Sequence, residues 1–249
     1  MTGDRGSDPD GDATRDVESA PPPASVPIPD GVEEQRSTAS DLLETAEGTP
    51  DDFTREEMAR IVALLSVDDG EARSTAAKAL QHLYDRPSLF APYLDDLLAA
   101  AAAYPDDVDG IPAPAVWLGS PHVRATVYAT DALARVAQRE PSLFTPHLEA
   151  MVERLRSDRN TSRYLLFVVG LVEADSPGQV PREWLREELC ELLDRGRGNG
   201  YPAWAADVLG KLGDSGALEA VRAAHPGENA DDVEREAFDD AIEALEAAE

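Results

Sequence analysis

The sequence predicts an all-α chain: an α-solenoid of about five helical pairs behind a disordered, acidic N-terminal tail. Three observations predict it. First, an apolar comb with spacings of three, one and three recurs along the chain, which puts its members on one helix face. It reads Ala76, Ala79, Leu80, Leu83; then Ala129, Ala132, Leu133, Val136; then Leu165, Val168, Val169, Val172; then Ala205, Val208, Leu209, Leu212; then Phe238, Ala241, Ile242, Leu245. Second, the steps between copies are 53, 36, 40 and 33 residues, and three of the four fall in the range of helical-pair repeats. Third, no segment alternates apolar and polar residues strictly, so no sheet is expected.

The elements follow in order. Residues 1–37 carry PPPASVPIPDG, many Asp and few large apolar side chains. Such a segment buries too little surface to offset its ordering entropy, and disorder is expected. It reads as a solubilising tail or as an arm with a recognition segment around Val26 and Ile28. The repeat domain then spans 38–249. A short helix over Thr38–Ala46 caps the open end, as repeat arrays require. The pairs are Thr54–Leu65 with Gly70–Tyr84, a helix from Pro87 with one from Pro121, Pro141–Leu155 with Asn160–Val172, Pro181–Leu193 with Tyr201–Leu212, and Ser215–Ala224 with Ala230–Ala248. The long step of 53 is explained by an insertion loop over 104–120. PSLFAPYLDDL and PSLFTPHLEAM each open on a Pro suited to the first helical position. Each has a second Pro five residues on, Pro92 or Pro146, expected to bend the helix. An aromatic column (Tyr128, Tyr164, Trp204) and a small-residue column (Ala134, Gly170, Gly210) accompany the middle combs.

The helix openings PSLFxPxL, and the Arg and Ala that precede the Leu comb in HVRATVYATDALARV, resemble the HEAT repeats. AADVLGKLGDSGALEAV, from Ala205 to Val221, is similar to the short LGxLGDxxAL variety of phycobilin-lyase-type HEAT proteins. The resemblance runs from about Phe53 to Glu249. It implies the fold and leaves activity open. NTSRYLLFVVGLVEA departs most, because it lacks the usual Ala positions.

Fifty acidic residues face 22 basic ones, a formal charge of −28, and every basic residue but Lys78 and Lys211 is Arg. The profile resembles cytoplasmic proteins of extreme halophiles, in which salt screens such self-repulsion. The alternative is that the acidity serves a basic partner. Cys190 is the single cysteine, so no internal disulfide forms. It reads as a small core residue. No apolar run approaches the length of a membrane span, and no secretory signal is read at the start, so a cytoplasmic location without membrane association is expected.

The four histidines, His82, His122, His147 and His225, form no HExxH and no His/Cys cluster, and no metal or other cofactor is expected. The His-Glu dipeptides of HEAT-fold di-iron hydroxylases are absent. RGRGNG lacks the Lys-Ser/Thr of a phosphate-binding loop. One charge feature stands out on this acidic chain. RLRSDRNTSR brings Arg154, Arg156, Arg159 and Arg163, and RGRGNG adds Arg195 and Arg197. Both segments lie at the turn from first to second helix in consecutive repeats, so they are expected along one edge. Arg forks suit carboxylate or phosphate. Either the edge binds an acidic partner or a phosphate, or these Arg pair with the chain's own carboxylates, such as Glu153, Asp158 and Asp194. Trp117 in the insertion is either a plug for the gap or an anchor for a partner. Nucleic acid is disfavoured as a partner, because a duplex needs a broad basic footprint.

The function expected is a non-enzymatic scaffold or adaptor that binds a protein partner of unknown identity. The different-class alternative is an enzyme or enzyme subunit of the HEAT-like lyase or DNA-glycosylase type. No catalytic residue is assigned, and the sequence does not specify an oligomeric state.

Overall fold

A computed structural model of the protein describes residues 21–102, 120–157, 162–195, 201–227 and 232–248. The elements are helical, with no strand among the described residues. The α-helices are α1 (Val32–Gly48), α2 (Arg55–Leu64), α3 (Gly70–Leu80), α4 (Pro87–Phe90), α5 (Leu94–Ala102) and α6 (Pro121–Arg139). They continue with α7 (Leu148–Ser157), α8 (Leu165–Asp175), α9 (Arg182–Arg195), α10 (Tyr201–Leu212), α11 (Leu218–Ala224) and α12 (Asp232–Ala247). Most of the insertion expected over 104–120 lies outside the described residues.

The helices pack as two rows. In the second-helix row, α1, α3, α6, α8, α10 and α12 each lie on the next. The first-helix row sets α2, α5, α7, α9 and α11 against α3, α6, α8, α10 and α12 respectively. The comb residues face the seam between the rows, and all of them are buried except Ile242, which is half-buried. Burying one Leu or Val contributes about 1.5–3 kcal/mol, so this stripe is the main source of cohesion.

Small residues bring the second-helix row close together. A Cβ on Gly210 of α10 would lie 2.8 Å from the Cα of Ala241 on α12. A Cβ on Gly170 of α8 would lie 2.3 Å from a Val208 methyl on α10. Two members of the small-residue column are therefore points of helix contact.

The helix α8 differs from its neighbours. Residues Leu165 to Glu173 are all buried, so it has no solvent face over that run. A helix that is apolar all round belongs in an interior. Side chains of α6 and α10 meet across it: Arg135 lies over the Trp204 ring at 5.9 Å, and Gln138 Nε2 donates to Asp207 at 3.4 Å.

Two expectations need correction. The disorder expected over 1–37 does not hold for residues 21–37. Residues 1–20 lie outside the described residues, but 21–31 lie against the body, and α1 begins at Val32 rather than Thr38. Val26 is buried, Ile28 packs on the core, and the Tyr93 hydroxyl lies 3.0 Å from the Pro21 carbonyl and 3.1 Å from that of Arg55. Prolines 21–23 have little backbone freedom to lose, which lowers the ordering cost that composition alone overstates. The first turn of α1 carries Glu33 and Glu34, which favour a helix start without adding to an apolar pattern. Second, Pro92 and Pro146 do more than bend a helix. They sit in 3-10 segments, Ala91–Tyr93, which separates α4 from α5, and Pro141–His147, which precedes α7. Proline has no N–H to send back four residues and crowds that carbonyl, so the tighter winding persists until it is passed.

Asp69 caps α3 by accepting the Ala72 N–H at 2.9 Å, and Arg36 of α1 meets it with two bonds, Nε to Oδ1 at 2.9 Å and Nη2 to Oδ2 at 2.8 Å. The hydrogen bond from Arg36, chiefly, holds the Asp69 carboxyl down to about 2; burial opposes it and the Ala72 amide adds to it. A depressed value means that the stabilisation is present above about pH 4 and is lost as pH falls toward 2.

Asp69→Asn, which keeps the cap but not the charge, will be destabilised relative to wild type at pH 6. That gap will shrink as denaturation is followed from pH 4 to pH 2. Gly210→Ala will lower stability by about 1–3 kcal/mol, because the Ala241 backbone cannot move aside. Gly48→Ala at the end of α1 has nothing within 4 Å of the new Cβ and will raise stability by about 0.5–1 kcal/mol in the same thermal melts.

Candidate functional site

The turn that follows α7 was expected to carry an arginine edge. Arg154 and Arg156 are two apart on α7, so they leave the helix in different directions. Arg154 lines a cavity of about 180 Å³ beside α5, with Asp95, Leu98, His147 and Leu165 among its neighbours. His147 Nδ1 lies 3.0 Å from the Asp95 carboxylate there. Arg156 turns toward α9 and lays its guanidinium over Trp184, 4.7 Å from the ring centroid. Arg163 Nη1 donates to Glu188 Oε2 at 2.7 Å. Trp184 and Glu188 are one turn apart on α9, so Arg156 and Arg163 converge on the same helix. Arg195 is the last residue of α9. Arg159, Arg197 and Trp117 lie outside the described residues.

Arg156 also lines a groove of about 860 Å³ between α7, with the 3-10 turn before it, and the loop that leads into α9. Pro146, Leu148, Val152 and Pro181 supply apolar surface. Glu149, Glu153, Arg156 and Gln179 supply polar groups, and the three charged ones are exposed. Another groove, of about 500 Å³, separates α9 from α11 and is lined by Glu187, Cys190, Glu191, Leu193, Ala220 and Ala223. Cys190 is half-buried and packs on the core.

The loop wall of the first groove is held by Glu173, a residue the apolar comb does not single out. Its side chain is fully buried at the end of α8. Oε1 accepts the Gly178 N–H at 2.6 Å, and Oε2 accepts those of Gln179 and Val180, both at 2.9 Å. Gly178 has φ +96°, a conformation that needs glycine. A buried carboxylate that gathers three backbone donors is a strong anchor. The signal in the sequence was the lone charged residue closing LLFVVGLVEA ahead of a Ser-Pro-Gly turn.

The LGDSGAL segment has a structural task. Gly213 adopts φ +61° after α10, and Asp214 caps the next turn through the Gly216 N–H at 3.1 Å. Arg186 of α9 donates to both Asp214 oxygens, at 3.2 and 3.1 Å. Among the described residues, no group of three His, Cys, Asp or Glu is placed to hold a metal ion. No helix among them is long and apolar enough to cross a membrane.

No protein-family model matches the chain. No curated protein matches it either. Among solved structures, an engineered protein crystallised by the Northeast Structural Genomics Consortium is similar, with a TM-score of 0.56 and 18% identity, over 94% of this chain and 97% of that one. At that identity the likeness shows the fold alone.

Glu173→Gln will lose the charge and one of two acceptor oxygens. Stability is expected to drop by about 1–3 kcal/mol, the cost of an orphaned buried donor. Hydrogen exchange at the Gly178, Gln179 and Val180 amides will quicken more than in the body of α8.

Proposed function

We propose that the protein is an α-solenoid of HEAT-like helical pairs and works as a non-enzymatic interaction scaffold, with the groove between α7 and the α9 entry loop as its main contact surface. The observation that carries this reading is the difference between the two rows. The second-helix row packs closely through Gly170 and Gly210, where α8, α10 and α12 meet. The first-helix row leaves open grooves beside α7 and between α9 and α11. Successive grooves along one side suit an extended protein ligand, because each offers apolar lining with a few polar groups for orientation.

Arg156 is the best placed of the sequence-predicted arginines. Stacking on Trp184 holds its guanidinium in place, so less side-chain entropy is lost when a partner binds. Trp and Arg are also the residue types that dominate binding hot spots. The overall acidity is read as adaptation to concentrated salt in the cytoplasm, which leaves short-range contacts to select the partner.

The test is affinity capture from native extract in molar potassium chloride, read by mass spectrometry. Wild type is compared with a variant carrying Glu149→Arg, Glu153→Arg and Arg156→Glu, all at exposed positions. A stoichiometric protein retained by wild type and lost by the variant, with an unchanged melting temperature, is the expected result. Equal retention by both, or no stoichiometric protein on wild type, would overturn the reading.

A further inference from the structure

We infer that the second-helix row carries a separate docking site for an acidic protein segment, in which Arg135 and Arg139 of α6 grip a carboxylate beside Tyr84 and Trp204. Arg135 is held from three directions. Its Cζ lies 5.4 Å from the Tyr84 ring centroid and 5.9 Å from that of Trp204, and its Nε donates to Asp131 Oδ2 at 3.0 Å. Asp131 is in turn fixed by Gln81 Nε2 at 2.6 Å, and the Trp204 ring stacks on Phe167 at 5.7 Å. The result is a pre-positioned guanidinium whose side chain is still 41% exposed.

What remains on that guanidinium is its outer fork. Arg135 meets Asp131 through Nε, and its two Nη groups have no hydrogen-bond partner among the described residues. Arg36 provides the contrast. It uses Nε and Nη2 together on Asp69, the paired geometry that satisfies a carboxylate within the chain. Arg139 stands one turn further along the same face of α6. Its Cζ lies 5.2 Å from the same Tyr84 ring, it pairs with Asp85, and its side chain is 50% exposed. Two guanidinium groups therefore share one aromatic ring, each already paired with one carboxylate of the chain, and the outer fork of Arg135 is what is left to meet a further carboxylate.

The surroundings fit the same reading. The cations here are paired within the chain, Arg135 with Asp131, Arg139 with Asp85 and Lys211 with Asp207. On a chain with 50 acidic and 22 basic residues, these three pairs add no net negative charge beside the fork. Salt screens the rest of the molecule's field beyond a few ångströms, while stacked, forked contacts persist at short range. The rings beside the fork add apolar surface of the kind found in interface anchors. The site lies on the other row from the groove next to α7, and different observations support it.

The test uses a fluorescein-labelled Glu-rich decapeptide and its Gln counterpart, titrated with the full chain in molar potassium chloride and read by fluorescence polarisation. Saturable binding of the Glu peptide alone is expected. Arg135→Lys keeps a positive charge over the rings but lacks the fork, and should weaken binding about tenfold. Arg139→Gln, a surface change that leaves the Tyr84–Arg135–Trp204 stack intact, should weaken it several-fold. The variant altered at Glu149, Glu153 and Arg156 should bind the peptide as wild type does, so failure of the groove and failure of this site are told apart. No binding, equal binding of both peptides, or an unchanged affinity in both arginine variants would overturn the proposal.

Discussion

The architecture depends on how closely the helices of the second row approach one another. At Gly210 the backbone of α12 occupies the space a methyl group would need, and at Gly170 a Val208 methyl does. Those approaches set the spacing between neighbouring pairs. Helices that touch through Gly and Ala are drawn nearer than helices that touch through Leu. The first row leaves grooves beside α7 and between α9 and α11. One row is therefore tightly packed where α8, α10 and α12 meet, while the other opens into grooves.

The sparse cations are placed with economy. Arg36–Asp69 and Lys78–Glu47 join α1 to the start and the last turn of α3. Arg124–Glu71 joins α6 to α3, Arg186–Asp214 joins α9 to the turn before α11, and Arg222–Glu246 joins α11 to α12. Exposed pairs of this kind contribute about 0–1 kcal/mol each. Their greater value here is local. Each sets a cation of one element against a carboxylate of the next, and four of the five use Arg, whose fork fixes orientation as well as distance.

Much of the fold was legible because periodicity reports burial directly. The comb at Ala129, Ala132, Leu133 and Val136 marks a buried face without knowledge of any neighbour, and the small residues Gly170 and Gly210 stood at recognisable offsets from it. Elements defined by backbone chemistry were less visible. Proline-initiated 3-10 turns look like helix in an apolar pattern, and α1 began earlier than its first leucines implied. The site was the least legible. A linear count placed Arg154 beside Arg156, yet the helix separates them, one toward α5 and the other toward Trp184. Arg135 drew no notice because Tyr84 and Trp204 reach it from elements some 50 and 70 residues away in sequence.

The burial of α8 on every side bears on how such a chain can change over time. Repeat arrays lengthen and shorten by gaining or losing units, provided each new end has a polar face to show to water. The terminal helix α12 meets that condition with its acidic outer positions. The run from Leu165 to Val172 does not, because whichever neighbour were removed, an unbroken apolar surface would open to solvent. The helices packed on α8 therefore hold one another in place, since none can leave without exposing it.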